Sequence, residues 1–329
     1  MTKTNQQKVK DFLINNGVII VMFILVIYTG FTSDNFFTKN NFMNILMNMS
    51  SRLVIALGIA GCVITAGCDL SAGRMIGFGA CISGMLLQRM DYSGKFFPDM
   101  QPLNVFVVAL IAMLVCAAFG TVTGFFIAYL NVPPFIATLA MMEIVYGIGL
   151  IVTNATPLGG YVEQYTNVSN GKFLGINYLI WIAIIVAAIT WFIFNMTRHG
   201  KYMYAIGGNP QAAEVAGVPV KATLILIYMK AAAMYGLAGI MLGAKAGGAS
   251  VQTGYGYEME AIAACTIGGV SVTGGRGKVS SAIIGVAVFE LLKVALQYLG
   301  MNANAQYIAI GVVIFIAISL DIRKYIARK

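Results

Sequence analysis

Charge is the scarcest commodity in this chain. Asp, Glu, Lys and Arg make up 10% of its 329 residues, against about 25% in a soluble domain. With 59% hydrophobic residues and a mean hydropathy of +0.83, the deficit places most of the chain in lipid. Histidine is almost absent, with His199 alone. The five cysteines, Cys62, Cys68, Cys81, Cys116 and Cys265, are odd in number, show no metal-ligand spacing and sit in or beside apolar segments. They read as small buried hydrophobes, and a zinc site has no ligand set. No basic-aromatic stripe occurs, so the net charge of +9 marks the cytoplasmic ends of spans and not a nucleic-acid surface. There is no long polar tract either. Apolar segments spread from end to end argue for one polytopic bundle, a single transmembrane domain over residues 1–329.

What is present is a series of apolar runs, each judged against the roughly 20 residues that a helix needs to cross a bilayer. Ten candidates cover residues 12–30, 53–66 (starting as early as 45), 75–90, 103–130, 135–153, 178–194, 222–243, 259–270, 279–299 and 305–320. The first follows Lys3, Lys8 and Lys10 and resembles a signal peptide, but no small-x-small cleavage pattern comes after it, so an uncleaved span is expected. The eighth is too short to cross alone and reads as a broken or re-entrant element. Ten alternating spans put four basic groups on one side: the N-terminus (1–11), the central loop (196–221, with Arg198, Lys201 and Lys221), the turn carrying Arg276 and Lys278, and the C-terminus (321–329, with Arg323, Lys324, Arg328 and Lys329). Positive charge marks the cytoplasmic side. The opposite loops hold Asp34, Asp91, Asp99, Glu163, Glu258 and Glu260, with Lys39, Lys95, Lys172 and Lys245 as bases. Gly73-x-x-x-Gly77 and Gly120-x-x-x-Gly124 are close-approach motifs, among 37 glycines.

The polar stretch 198–221 separates six spans from four. Inside it a short helix is expected over residues 210–216: Asn209 suits the N-cap, Pro210 the first helical position, Gly217 the left-handed residue past the end, and Pro219 blocks a restart. About two turns long, it is too short to be stable alone in water. It therefore packs on its own bundle or on a partner.

Other polar segments carry alternatives. In Gly67-Cys68-Asp69-Leu70-Ser71-Ala72-Gly73-Arg74, Asp69 or Ser71 caps the next helix, or both border a translocation path, or Asp69 pairs with Arg74. Tyr257, Glu258 and Glu260 stand where an outer mouth would guide a hydroxylated solute, or simply begin a polar helix; no nucleophile or metal set accompanies them to make an enzyme. The glycine-rich run 268–278 fails as a phosphate loop, since Val279 follows Lys278 where Ser or Thr is needed, and it reads as a tight turn. Glu143, Lys230, Glu290 and Lys293 lie within spans; Glu290 and Lys293, three apart, have the spacing of a pair on one helix face.

Several of these motifs in one order resemble the permease subunits of ABC importers for simple sugars. The resemblance rests on Ala205-Ile206-Gly207-Gly208-Asn209-Pro210-Gln211-Ala212-Ala213-Glu214 with Gly217, on residues 67–73, on Gly256 to Ala264, and on Gly268-Gly269 with Gly274-Gly275-Arg276-Gly277. It covers nearly the whole chain. Asn131 to Leu139 and the C-terminal residues 320–325 look like the galactose/methyl-galactoside branch. The resemblance implies an all-α fold of about ten transmembrane helices with both termini cytoplasmic, in a bacterial cytoplasmic membrane. It also implies a chain that is not itself an enzyme and holds no cofactor, with ATP and Mg used by partner subunits. Those partners would be two cytoplasmic ATPases, a second and identical permease, and a periplasmic or lipoprotein sugar-binding protein. Gly207, Gly208, Asn209, Pro210, Ala212, Ala213, Glu214 and Gly217 would couple to the ATPase, the two alanines permitting close docking. Asp69, Ser71, Tyr257, Glu258 and Glu260 would line the path or its gate. A nucleoside or branched-chain amino-acid permease, an ion-coupled secondary transporter and a membrane enzyme are the rival readings.

Overall fold

The computed structural model describes residues 5–326. Residues 1–4 and 327–329, and with them Lys3, Arg328 and Lys329, lie outside the described residues. The helices are α1 (Asn5–Thr32), α2 (Lys39–Ile64), α3 (Ala72–Leu86), α4 (Val105–Tyr129), α5 (Pro134–Thr153), α6 (Glu163–Asn170), α7 (Tyr178–Met196), α8 (Arg198–Gly208), α9 (Pro210–Val215), α10 (Val220–Ala246), α11 (Tyr257–Gly268), α12 (Val279–Tyr298) and α13 (Ala303–Ile326).

Each expected span coincides with a helix, and the chain is a multi-span membrane protein. Among the described residues, α2, α4, α5, α7, α10 and α12 are long and apolar enough to cross a bilayer. Ile20–Thr32 of α1 and Asn304–Ile316 of α13 are further apolar stretches among the described residues. α3 and α11, at 15 and 12 residues, reach only about 22 and 18 Å, less than the ~30 Å hydrocarbon core. Both are deeply buried, and broken helices are tolerated at such depth because protein, not lipid, surrounds their ends.

Three expectations need correction. The fold is not purely helical: β1 (Lys172–Phe173) and β2 (Ile176–Asn177) form a small antiparallel hairpin. The third span ends at Leu86 and not at residue 90, because the chain turns there to pair Gln88 with Tyr161. The stretch from 198 contains two helices, since Thr197 caps a first one by accepting a hydrogen bond from Gly200 N at 3.2 Å.

α2, α10 and α12 form the interior, while α4, α5 and α7 are largely exposed. α4 shows the reason: Phe106, Leu110, Leu114 and Phe125 all face outward, and a helix apolar all round suits lipid. Contact at the centre depends on missing side chains. A Cβ at Gly120 would stand 2.4 Å from Tyr228 O on α10, and one at Gly285 would stand 1.7 Å from Ala264 O on α11. Gly73 makes its close approach to Glu258 at the start of α11 and to Gly254, and Gly77 makes its own to the loop residues Val251 and Thr253.

The loops sort by end. At one end Leu158 pairs with Ala249, Gln88 Nε2 donates to Gly159 O at 3.0 Å, and Trp181 Nε1 donates to Phe173 O at 3.1 Å. At the other, Ile64, Gly207 and Gly275 converge, with Gly275 N donating to Ile64 O at 2.8 Å.

Gly285→Leu is expected to separate α11 from α12 and to cost about 1–3 kcal/mol or more by overpacking. A lowered thermal midpoint of the detergent-purified protein, set against Gly311→Leu where a Cβ meets open space, checks this.

Candidate functional site

The first candidate is the α8–α9 region. Gly200, Met203, Ile206 and Gly207 form the buried face of α8. Gly207 is packed so tightly that a Cβ would fall 1.9 Å from Ile64 O and 2.5 Å from Gly275 N. The turn 271–277 is folded on itself by Ser271 N donating to Arg276 O at 3.0 Å, and Tyr204 OH donates to Gly277 O at 2.8 Å. The glycine-rich turn is thus a buttress that seats α8 on the end of α2.

α9 projects beyond this platform. Asn209 Oδ1 accepts from Ala212 N at 2.9 Å, and Pro210 occupies the first turn. The helix ends as expected on Gly217, whose φ is +82°, with Val218 N donating to Ala213 O at 3.0 Å. α9 stops at Val215, and Ala216 is its C-cap. Gly208, Asn209, Pro210, Ala212, Glu214 and Gly217 are exposed, but Ala213 is buried in the chain's own bundle and offers no docking surface. Val215, which the sequence did not single out, is 91% exposed.

The second candidate, residues 67–74, divides in two. Asp69 and Ser71 are fully buried. Asp69 accepts from Ser71 N at 3.0 Å, from Ser71 Oγ at 2.6 Å and from Tyr235 OH at 3.1 Å. Ser71 makes no side-chain cap to α3. Both side chains are enclosed, and the Asp69–Tyr235 bond pins the loop to α10. Arg74 does not pair with Asp69. It donates to Gln252 Oε1 at 2.8 Å and to Val251 O at 3.3 Å, with its guanidinium over the rings of Tyr146 and Tyr255 at 3.9 and 4.4 Å.

The third, residues 257–260, is also inward. Glu258 is buried under Gly73. Glu260 belongs to an ion cluster that joins three helices: Arg52 of α2 bridges Glu260 at 3.1 Å and Glu290 of α12 at 3.0 Å, and Lys293 bridges Glu260 at 2.5 Å. Tyr257 lies over Arg52 at 5.0 Å. Glu290 and Lys293 therefore do not pair with each other; each reaches across to another helix. Two acids and two bases cancel, the condition for charges at this depth. Lys245 donates to Asn48 beside them. Arg52 escaped notice because it stands one residue before the apolar run that begins at Leu53.

A family model described as branched-chain amino acid transport system / permease component matches residues 41–318. The chain belongs to this family of transport permeases. It is 39% identical over 336 residues to the galactose/methyl galactoside import permease protein MglC of Escherichia coli K12, covering 100% of both chains. It is 40% identical over 336 residues, again with full coverage of both, to the MglC of Haemophilus influenzae. The ribose import permease protein RbsC of Escherichia coli K12 is 32% identical over 319 residues, with 96% of each chain covered. No solved structure matches the permease.

Among the described residues, no group of acids, cysteines and histidines in the permease could hold a metal. His199 instead lines a small cavity with Thr190, Met203 and Lys230. Burial, and then the Lys230 ammonium, lower its pKa to about 4 from the ordinary 6.5. Above the ordinary value the ring is neutral whether α8 is docked or open. As pH falls from about 6.5 towards 4, the open form takes up a proton that the docked form refuses, so docking weakens.

Two measurements follow for the permease. Hydrogen exchange of α8 peptides, corrected for intrinsic rate, is expected to accelerate as pH drops through this window, and His199→Gln to flatten the response. Arg52→Met leaves Glu290 without its counter-ion and is expected to destabilise by about 3–5 kcal/mol, read as a fall in thermal midpoint in detergent.

Proposed function

We propose that this chain is the membrane-spanning permease subunit of an ATP-driven sugar importer and forms the path for a monosaccharide, galactose or a methyl galactoside. One observation carries the reading: full-length identity of 39–40% to galactose/methyl galactoside import permeases, higher than the 32% to a ribose import permease. The family description names branched-chain amino acids, but these relatives favour sugars.

The rest of the proposal concerns assembly. The chain acts as one membrane domain of ten crossings in the bacterial cytoplasmic membrane, both termini inside. The sorting of loops supports this: Ile64, Gly207 and Gly275 meet at one end, where alternation puts the basic loops. Two such permeases pair, two cytoplasmic ATPases bind below, and an extracytoplasmic binding protein delivers the sugar. This chain has no catalytic role; ATP and Mg belong to the ATPases. The projecting α9, within the loop 196–221, is the coupling helix, and its exposed Ala212, Glu214 and Val215 enter a groove of the ATPase. Nucleotide closes the ATPase dimer, the docked helices move with it, and α8 with the 271–277 turn passes the motion to α2. The sugar and the nucleotide are coupled because each favours one state of the bundle.

Val215→Asp tests the docking. The side chain is exposed, so the isolated permease keeps its thermal midpoint. In proteoliposomes with ATPase and binding protein, galactose uptake and binding-protein-stimulated ATP hydrolysis both fall about tenfold or more, the loss of one buried anchor. Uptake equal to wild type would sink the coupling assignment.

A further inference from the structure

α5 faces two ways. Ala137, Thr138, Met141, Val145 and Gly149 are buried, packed towards α3 and α4. Leu139, Ala140, Glu143 and Ile144 are exposed. Glu143 stands at the middle of this 20-residue helix and has no ion-pair partner among the described residues. Hydrocarbon is a poor environment for such a carboxyl group, and residues of this kind face protein or a water-filled cavity. The face that carries Glu143 is therefore not a lipid face.

Tyr146 lies on the same face, three residues on. Its ring supports the Arg74 guanidinium, and its hydroxyl accepts from Gln252 Nε2 at 3.1 Å. Tyr255 covers the same guanidinium with one face of its ring and is itself 61% exposed. Arg74 Nε is buried without a hydrogen-bond partner. α3, α5 and the segment 251–256 thus join in one polar surface that the chain's own bundle leaves partly uncovered, unlike the locked Asp69 and the paired Glu260.

We infer that Glu143, Tyr146, Arg74, Gln252 and Tyr255 form the sugar-facing wall of the translocation path, with a second copy of this chain closing its far side. The inference rests on the sugar-importer reading. The chemistry fits a neutral hexopyranose. An amide, the Tyr146 hydroxyl and a carboxylate exchange hydrogen bonds with sugar hydroxyls, and the open ring of Tyr255 accepts the apolar C–H face. One charge of each sign leaves no net field to attract an ion. An open wall without an enclosing pocket holds the sugar weakly, which suits passage.

The test uses the full importer, with ATPase and binding protein, in proteoliposomes. Single cysteines replace Glu143 and Tyr255, with Leu110→Cys on the outward face of α4 as the lipid control. Four native cysteines are buried and Cys68 is half-buried, so Cys68→Ser supplies the background. During turnover, a membrane-impermeant cationic thiol reagent is expected to modify E143C and Y255C, to leave L110C unmodified, and to be slowed by D-galactose. Arg74→Gln and Tyr255→Ala are expected to lower galactose moved per ATP hydrolysed by about tenfold, the loss of one or two hydrogen bonds or ring contacts, while Tyr255→Phe keeps the wild-type ratio. A merely structural defect would lower uptake and hydrolysis together and leave the ratio unchanged. If wild type imports galactose and E143C is as unreactive as L110C, or the ratio does not move, the wall is overturned. If wild type moves no galactose, the sugar reading fails, and labelling alone then decides whether this face meets water.

Discussion

How closely α10 can approach its neighbours sets the rest of this structure. In lipid the tails surrounding a helix are as apolar as its own side chains, so helices associate through contact and hydrogen bonding and not by escaping water. Contact here requires backbones to touch. Gly120 and Gly124 of α4 sit against Tyr228 and Ile225, Gly79 of α3 against Gly236, and Gly239 against Ile76, each with no room for a Cβ. With the core drawn this tight, the short α3 and α11 are enclosed by protein, and loops that would be unacceptable in lipid can lie at membrane depth.

That enclosure separates two kinds of polar group. Asp69 with Ser71 and Tyr235, and Tyr165 with Ser83 and Ile240 O, are joined by hydrogen bonds, and Arg52, Glu260, Glu290 and Lys293 are ion-paired across helices. They act as locks, because a buried group that loses its partner costs more than the bond gained. Glu143 and the Arg74 group are different: Glu143 and Tyr255 are exposed, and Arg74 lies between the rings of Tyr146 and Tyr255. The seating of Gly207 on Gly275 and Ile64 makes a base from which α9 projects.

Much of this was legible in one dimension. Apolar length located the six helices long enough to cross a bilayer, because a bilayer demands a fixed run of residues. Asn209, Pro210 and Gly217 located α9, because caps act within one turn and need no tertiary context. Other residues misled for the same local reason. Glu290 and Lys293 have pair spacing, but spacing says nothing of Arg52 and Glu260 waiting on neighbouring helices. Ala213 looked like a docking residue by its size; only the packing of α9 on the bundle turns it inward. The run 268–278 offered a turn and nothing more, and its partner, Gly207, lies more than sixty residues away.

Composition, hydropathy period and cap chemistry thus specified a membrane bundle, the order of its helices and a short helix in its central polar loop, since each of these follows from interactions within a few residues. Which polar residues are locks and which face an open surface was settled only by the three-dimensional packing. Asp69 and Arg74 are five residues apart in one motif, yet one is sealed against Tyr235 and the other lies between two tyrosine rings at the surface. Their fates differ because helices distant in sequence, α10 for the first and α5 for the second, supply the groups that surround them.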